Sequence, residues 1–152
     1  MDVVRSERAP QEIVGLHESV RMDELRKFFP RALTAAAEAL TARGLDPAGP
    51  AVALYESMEG DMLDVTAGFP VPSGAAPSDD IVAAILPGGA TMEVIHRGSY
   101  DDLRTTYREL TAWFDENGMT RPAVVWEEYL VGPESEPDPG QWQTRIVYPV
   151  GR

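Results

Sequence analysis

One short segment concentrates the residues that could do chemistry, the run Trp126-Glu127-Glu128-Tyr129. Glu127 stands between Trp126 and Tyr129 in a stretch that, apart from Glu128, is otherwise apolar or β-branched. Most glutamates are exposed, so a solvated edge carboxylate is the simple alternative. A carboxylate surrounded by aromatic faces can hold a lipophilic cation, because ring quadrupoles attract the charge and the carboxylate neutralises it in a low-dielectric pocket. The pattern therefore makes Glu127 the candidate charge of a binding site.

Sequence motifs for other chemistries are missing. The chain has no cysteine, no GxSxG, no P-loop, no GxGxxG and no HExxH. A metal site would need both histidines, His17 and His96, together with carboxylates, and their spacing is not typical of metal ligands. The simpler interpretation of each histidine is a strand-end residue bonded to the backbone. We expect neither a metal nor a cofactor.

The charge balance of the chain excludes several partners. Among 152 residues, 13 Lys and Arg face 25 Asp and Glu, which gives a formal charge of −12. A nucleic-acid binder needs a basic face to neutralise phosphates, and an anionic membrane repels an acidic protein. No apolar run is long enough for a membrane span or a leader. We therefore predict a cytoplasmic protein that binds neither nucleic acid nor membranes.

The elements that must position Glu127 follow from an internal repeat. Four short blocks recur in the same order at offsets of 72 to 79 residues. The paired blocks begin at Ile13 and Met92, at Asp23 and Asp101, at Pro50 and Pro122, and at Phe69 and Tyr148. The repeat predicts one domain over 1–152, with a first unit at about 11–72 and a second at about 81–151.

Each unit is predicted to run strand, helix, strand, strand. The first helix is expected to open fully at Pro30, where a missing N–H costs least, and the second after the N-cap Ser99. Apolar residues at helical spacing form the buried stripe of the second helix: Leu103, Tyr107, Leu110 and Phe114. The predicted strands cover 12–17, 52–57, 62–69, 81–86, 124–131 and 142–150. The fold class is α+β: two pseudo-symmetric βαββ units side by side, with two helices on one face of an antiparallel-rich curved sheet and a ligand groove on the other.

Strand alternation predicts which residues line the groove. Alternate side chains of a strand point to opposite faces. If the Val, Leu and Trp side of the central strands packs on the helices, Tyr55, Glu127 and Tyr129 face the groove, and the repeat places Tyr55 opposite Glu127. Phe69 and Tyr148 hold repeat-equivalent positions, and Trp142 or Trp126 would supply further stacking. The candidate ligand-binding residues are Glu127, Tyr129, Tyr55, Tyr148, Phe69, Trp126 and Trp142.

Several short motifs in a fixed order resemble one known family over about 11–150. They are Leu86-Pro87-Gly88-Gly89, His96-Arg97-Gly98-Ser99-Tyr100, Trp113-Phe114, Trp126-Glu127-Glu128-Tyr129 and Tyr148-Pro149-Val150. The chain resembles the GyrI-like small-molecule-binding domains, also called bacterial transcription-activator effector-binding domains. The resemblance implies two βαββ units around a ligand groove.

The resemblance also implies roles for particular residues. Multidrug-sensing members of the family meet cationic aromatic drugs with a buried glutamate, and the family's E-x-Y pattern falls on Glu127 and Tyr129. Tyr148 matches an aromatic position in the closing strand, and Tyr55 matches the tyrosine of the first unit. Regulators in the family carry a fused DNA-binding module. This chain starts almost directly with its first strand, so it is expected to be a stand-alone member.

Three functions are compatible with the sequence. The leading hypothesis is a binding protein for hydrophobic, often cationic, aromatic small molecules. Because some GyrI-like proteins are regarded as hydrolases of strained electrophiles, the second hypothesis is a hydrolase in which Glu127 activates water and a tyrosine acts as the acid. The third is an acidic module that binds and inhibits another protein.

Overall fold

Eight strands and two α-helices make up the parts of the chain that the computed structural model describes, residues 1–72, 81–133 and 135–151. Short 3-10 turns, Met22–Glu24 and Tyr100–Asp102, precede the two helices. In chain order the elements are β1 Val4–Arg8, β2 Gln11–Arg21, α1 Leu25–Ala42, β3 Val52–Glu59, β4 Met62–Pro70, β5 Ile81–Leu86, β6 Gly89–Arg97, α2 Leu103–Glu116, β7 Val125–Val131 and β8 Gln143–Gly151.

The eight strands form one antiparallel sheet in the order β1-β6-β8-β7-β3-β4-β2-β5. The order is symmetric about its centre, because β6-β8-β7 of the second unit mirrors β3-β4-β2 of the first. The pseudo-twofold axis therefore passes between β7 and β3. The predicted α+β fold of two βαββ units is confirmed.

The two edge strands are exchanged between the units. β1 precedes the first unit but pairs with β6, and β5 precedes the second unit but pairs with β2. β1 is absent from the sequence prediction. Three of its five residues are charged and most are exposed, so no hydrophobic alternation marks it as a strand.

Helix α1 begins earlier than predicted, at Leu25, and Pro30 lies inside it. A proline within a helix removes one hydrogen bond. Here burial offsets the loss, because the stripe Phe28, Ala32, Ala36 and Leu40 packs into the core against β2 and β4. Within the described residues, no helix is both long and apolar enough to cross a membrane.

Both helices pack on the same face of the sheet. α1 covers the first unit, and α2 covers the second unit through Leu110 and Phe114. Cα-paired residues point to the same face, so the strand register traces this face from one helix to the other. The row that crosses it runs through Val94, Ile146, Glu127, Ala53, Ala67 and Leu16. The central pair β3–β7 lies between the helices.

The opposite face closes on itself without a helix. Its core residues are Ile13, Val52, Leu54, Leu86, Trp126 and Val147. The sheet curls into a half-barrel, and the paired glycines Gly15 and Gly68 lie where it leaves no space for a side chain. A Cβ added to Gly68 would lie 1.9 Å from the Val14 carbonyl oxygen.

The structure reverses the prediction of which face of the central strands packs on the helices. Val52, Leu54 and Trp126 were expected to pack on the helices, but they lie on the face without helices. Tyr55, Glu127 and Tyr129 were expected on the face opposite the helices, but they share the helix-bearing face. The reason is physical: both faces of these strands are buried, so alternation separates two sets of residues without saying which set meets the helices.

Candidate functional site

Glu127 lies at the centre of the helix-bearing face, where neither helix covers the sheet directly. Its residue surface is only 5% exposed. Its Cα partners are Ala53 on β3 and Ile146 on β8. Both neighbours are apolar, so the glutamate lies in an apolar surround.

Two tyrosines hold the Glu127 carboxylate. The Tyr107 hydroxyl, from α2, donates to Glu127 Oε2 at 2.6 Å, and the Tyr129 hydroxyl donates to Oε1 at 2.7 Å. Tyr55 is paired with Val125 rather than opposite Glu127 as predicted. It lies diagonally from the carboxylate on the same face, close enough for a hydrogen bond with Tyr129 to affect its titration.

Burial controls the titration of this cluster. It raises the pKa of Glu127 above the usual 4.5, while the hydrogen bonds from Tyr107 and Tyr129 and the charge of His96 act in the opposite direction. Burial, and then the Glu127 charge, raise the pKa values of Tyr55, Tyr107 and Tyr129 well above 10. The phenols therefore stay protonated and act as hydrogen-bond donors at neutral pH.

Four rings form what we call the aromatic rim: Phe29, Tyr100, Tyr129 and Trp142. The Tyr129 ring lies 6.0 Å from Phe29 of α1 and 5.9 Å from Tyr100, both in edge-to-face geometry. Tyr100 lies 4.9 Å from Trp142 at an interplanar angle of 34°. The Trp142 indole N–H donates to the Glu136 carbonyl at 2.7 Å. Because Tyr100 is 36% exposed, the rim reaches from solvent to the Glu127 site.

The other predicted binding residues lie farther from this centre. Tyr148 shares the helix-bearing face but is buried against Phe114, with ring centroids 5.2 Å apart. Phe69 packs at the border of the α1 core. Trp126 lies on the other face, where its indole N–H donates to Glu128 at 3.1 Å. The structure thus brings Glu127, Tyr129, Tyr55 and Trp142 together, and separates Trp126 from them.

Sequence reasoning missed three residues of the site, Phe29, Tyr100 and Tyr107. All three lie on a helix or on the turn before it, whereas alternation along strands reports only on the sheet. A usable signal was present for Tyr107, whose hydroxyl interrupts an otherwise apolar helical stripe and needs a buried partner.

The two histidines lie on opposite faces of the sheet. His96, on the helix-bearing face, contacts Thr106 Oγ1 through Nδ1 at 2.7 Å and the Ser99 carbonyl through Nε2 at 2.9 Å. A carbonyl only accepts, so Nε2 carries a proton. His17 instead bonds Asp64. The two histidines therefore do not hold equivalent positions in the two units. Across the described ranges, no group of three or more acidic or histidine side chains is arranged to hold a metal.

The titration of Glu127 gives a pH prediction for cation binding. Because burial raises its pKa, lowering the pH from 8 should protonate Glu127 in a range above 4.5. Affinity for a monovalent cation should then fall by up to about tenfold per pH unit, the limit for one proton exchanged per cation. Titrations with tetraphenylphosphonium at pH 8 to 5 would measure this dependence.

The control for the pH dependence is Glu127→Gln, which should give a flat profile. A slope equal to that of the unaltered protein would show that a group other than Glu127 causes the dependence. The stability of the ligand-free protein should depend on pH in the same direction. Because the pKa of Glu127 is raised in the folded state, the carboxyl group adds stability at pH values below its pKa in the unfolded chain. This stability is lost as the pH rises through the pKa of the folded state.

Comparisons with known proteins agree with this architecture. The C-terminal domain of EcmrR superposes with a TM-score of 0.85 at 23% identity, covering 99% of this chain and 98% of that domain. The EcmrR chain in a DNA complex within EcmrR-RPo gives a TM-score of 0.85 at 24% identity, and this chain spans 57% of its length. SAV2435 bound to tetraphenylphosphonium gives 0.74 at 13% identity, covering 99% of this chain and 94% of that one.

Sequence comparison identifies the family. No curated protein matches the sequence. The model of the GyrI-like small molecule binding domain matches residues 1–150. The chain belongs to the GyrI-like small-molecule-binding domain family.

Proposed function

We propose that this protein binds lipophilic aromatic cations at Glu127. The observation that carries the proposal is the contrast between two adjacent buried glutamates. Glu128 is neutralised by Arg8 at 2.8 Å and Arg145 at 2.9 Å. Among the described residues, no arginine, lysine or histidine lies within ion-pair distance of Glu127, whose carboxylate accepts hydrogen bonds from two neutral phenols.

An ionised carboxylate without a counter-charge is costly to bury. The two phenol hydrogen bonds reduce that cost for Glu127 but supply no positive charge. A cation placed beside the carboxylate would neutralise it in a medium where the attraction is weakly screened. The site is therefore electrostatically complementary to a ligand of charge +1.

The aromatic rim defines the rest of the ligand. Ring faces attract cations and stack on planar apolar groups. Because both Glu127 oxygens already accept phenol hydrogen bonds, a cation whose charge is enclosed by its own rings can bind without displacing Tyr107 or Tyr129. Tetraphenylphosphonium is such a cation, and its presence in the related SAV2435 structure supports this ligand class.

Titration of the unaltered protein with tetraphenylphosphonium tests the proposal. The neutral probe is triphenylphosphine oxide, which has three of the four phenyl rings and no net charge. We expect the cation to bind at least about tenfold more tightly, because only the cation interacts with the buried charge. Equal affinity for the two probes would contradict an electrostatic site.

Tryptophan fluorescence locates the bound cation. We expect binding to change the emission of Trp142, which belongs to the rim, so Trp142→Phe should remove most of the signal. The matched control is Trp113→Phe, since Trp113 packs on Phe114 away from the rim and its replacement should preserve the signal. A signal that survives in Trp142→Phe but not in Trp113→Phe would place the ligand elsewhere.

The hydrolase hypothesis depends on the access of water to Glu127. A general base must reach a water within hydrogen-bond distance, and each Glu127 oxygen already accepts a short hydrogen bond from a phenol. Each oxygen keeps a further lone pair, so hydrolysis would require a water to reach that lone pair beside the phenol. Incubation with a strained electrophile tests this second hypothesis: a hydrated product formed by the unaltered protein and lost in Glu127→Gln would support it.

A further inference from the structure

Thr144 has a buried hydroxyl whose hydrogen-bonding capacity is unused. Its residue surface is 0% exposed, and in the described parts of the chain its Oγ1 is the buried side-chain oxygen or nitrogen that lacks a hydrogen-bond partner. A buried hydroxyl without a partner is destabilising. Native proteins satisfy most such groups, so this exception calls for an explanation.

The strand register places Thr144 in the candidate site. Its Cα partners are Tyr129 on β7 and His96 on β6, so its side chain points to the helix-bearing face. Glu127 pairs with Ile146, two residues along β8. Glu127 and Thr144 are therefore diagonal neighbours, a relation that separates Cα atoms by about 7–8 Å.

Three other buried or half-buried threonines of the fold have partners. The Thr91 hydroxyl donates to Glu93 at 2.7 Å, and the Thr111 hydroxyl donates to the Tyr107 carbonyl at 3.0 Å. Thr106 contacts His96. The missing partner is therefore not a general feature of threonines in this protein. It occurs on the face that carries the proposed binding site.

We propose that the Thr144 hydroxyl is a second polar anchor of the site, which selects cations that carry a hydrogen-bonding group one aromatic ring away from the positive centre. The inference rests on the proposed function and adds to it the ligand class. Glu127 supplies charge recognition for any lipophilic cation. Thr144 supplies a hydrogen bond that only a polar-substituted cation can use, so it determines preference within the class.

A matched pair of probes tests the inference. One is tetraphenylphosphonium, which has no hydrogen-bonding group, and the other is (4-hydroxymethylphenyl)triphenylphosphonium, which adds one hydroxyl at the end of a ring. The unaltered protein should bind the hydroxymethyl probe roughly fivefold more tightly, the worth of one added hydrogen bond. Thr144→Val should abolish this preference by weakening the binding of the hydroxymethyl probe, while Thr144→Ser should keep the preference.

Stability separates this role from a structural one. Thr144→Val removes an unsatisfied hydroxyl, so the melting temperature should stay the same or rise. The control Thr91→Val removes a satisfied hydroxyl of an equally buried threonine on the other face, so it should lower the melting temperature and keep the probe preference.

Two results would overturn the inference. One is that the unaltered protein binds both probes with equal affinity. The other is that Thr144→Val loses affinity for both probes equally and has a lower melting temperature. Failure of the unaltered protein to bind tetraphenylphosphonium would be a different result. It would overturn the proposed function, and this inference with it.

Discussion

Replacing Glu127 with glutamine is expected to weaken tetraphenylphosphonium binding about a hundredfold, roughly 3 kcal/mol. Glutamine keeps the size of the side chain and can still accept a hydrogen bond from Tyr107 or Tyr129, so the change removes charge and little else. The loss should be large because the carboxylate is buried, where attraction to a cation is weakly screened. Isothermal titration at pH 8 measures it.

The neighbouring variant Glu128→Gln is the matched control for binding. It makes the same chemical change one residue away, on the opposite face of the same strand. Its affinity for the cation should stay within about twofold of the unaltered protein, because Glu128 is neutralised by arginines. Similar losses in both variants would mean that net charge, and not the Glu127 site, attracts the ligand.

Glu127→Gln should also leave the folded state at least as stable as before. With its pKa raised by burial, Glu127 is harder to ionise in the folded protein than in the unfolded chain. Its ionisation above the folded pKa therefore lowers stability, and an uncharged glutamine avoids that penalty. Urea unfolding at pH 8 should give an equal or higher midpoint.

The parts of the fold that repeat were predictable from sequence. Blocks such as Phe69-Pro70-Val71 and Tyr148-Pro149-Val150 report the two units because each unit must bury the same kind of faces. The structure adds the symmetric strand order and the exchange of β1 and β5. An edge strand such as β1 buries little, so its sequence carries no periodic signal.

The residues of the candidate site were only partly predictable. Strand alternation placed Tyr55, Glu127 and Tyr129 on one face, and the register agrees. It could not say which face the helices cover, since Trp126 and Val52 on the opposite side are equally buried. Phe29 and Tyr107 approach from the helices. Their helical spacing marks them as buried, but only the tertiary fold brings these two side chains beside the β3–β7 pair.

The two adjacent glutamates have different expected roles, since Glu128 forms ion pairs within the sheet and Glu127 is proposed to bind the ligand. Glu128 belongs to a neutral cluster of two carboxylates and two guanidinium groups, completed by Arg8, Glu93 and Arg145. Arg8 comes from edge strand β1 and reaches β7 across β6 and β8. Strands lie about 4.8 Å apart, so this contact depends on the sheet curling toward the face without helices.

Glu128→Gln is therefore expected to lower the free energy of unfolding by about 3 kcal/mol, the largest stability change we predict. The variant leaves Arg8 and Arg145 facing an uncharged amide, and it weakens the contact that ties β1 to the centre of the sheet. Urea unfolding measures the loss, and hydrogen exchange should report the first opening in β1, Val4–Arg8. A loss below about 1 kcal/mol would show that Glu93 alone holds both arginines, and in that case Glu93→Gln should be the more destabilising change. Because Glu127→Gln should leave stability unchanged or raised, opposite results from one pair of neighbouring substitutions would separate the charge that holds the sheet from the charge we assign to the ligand.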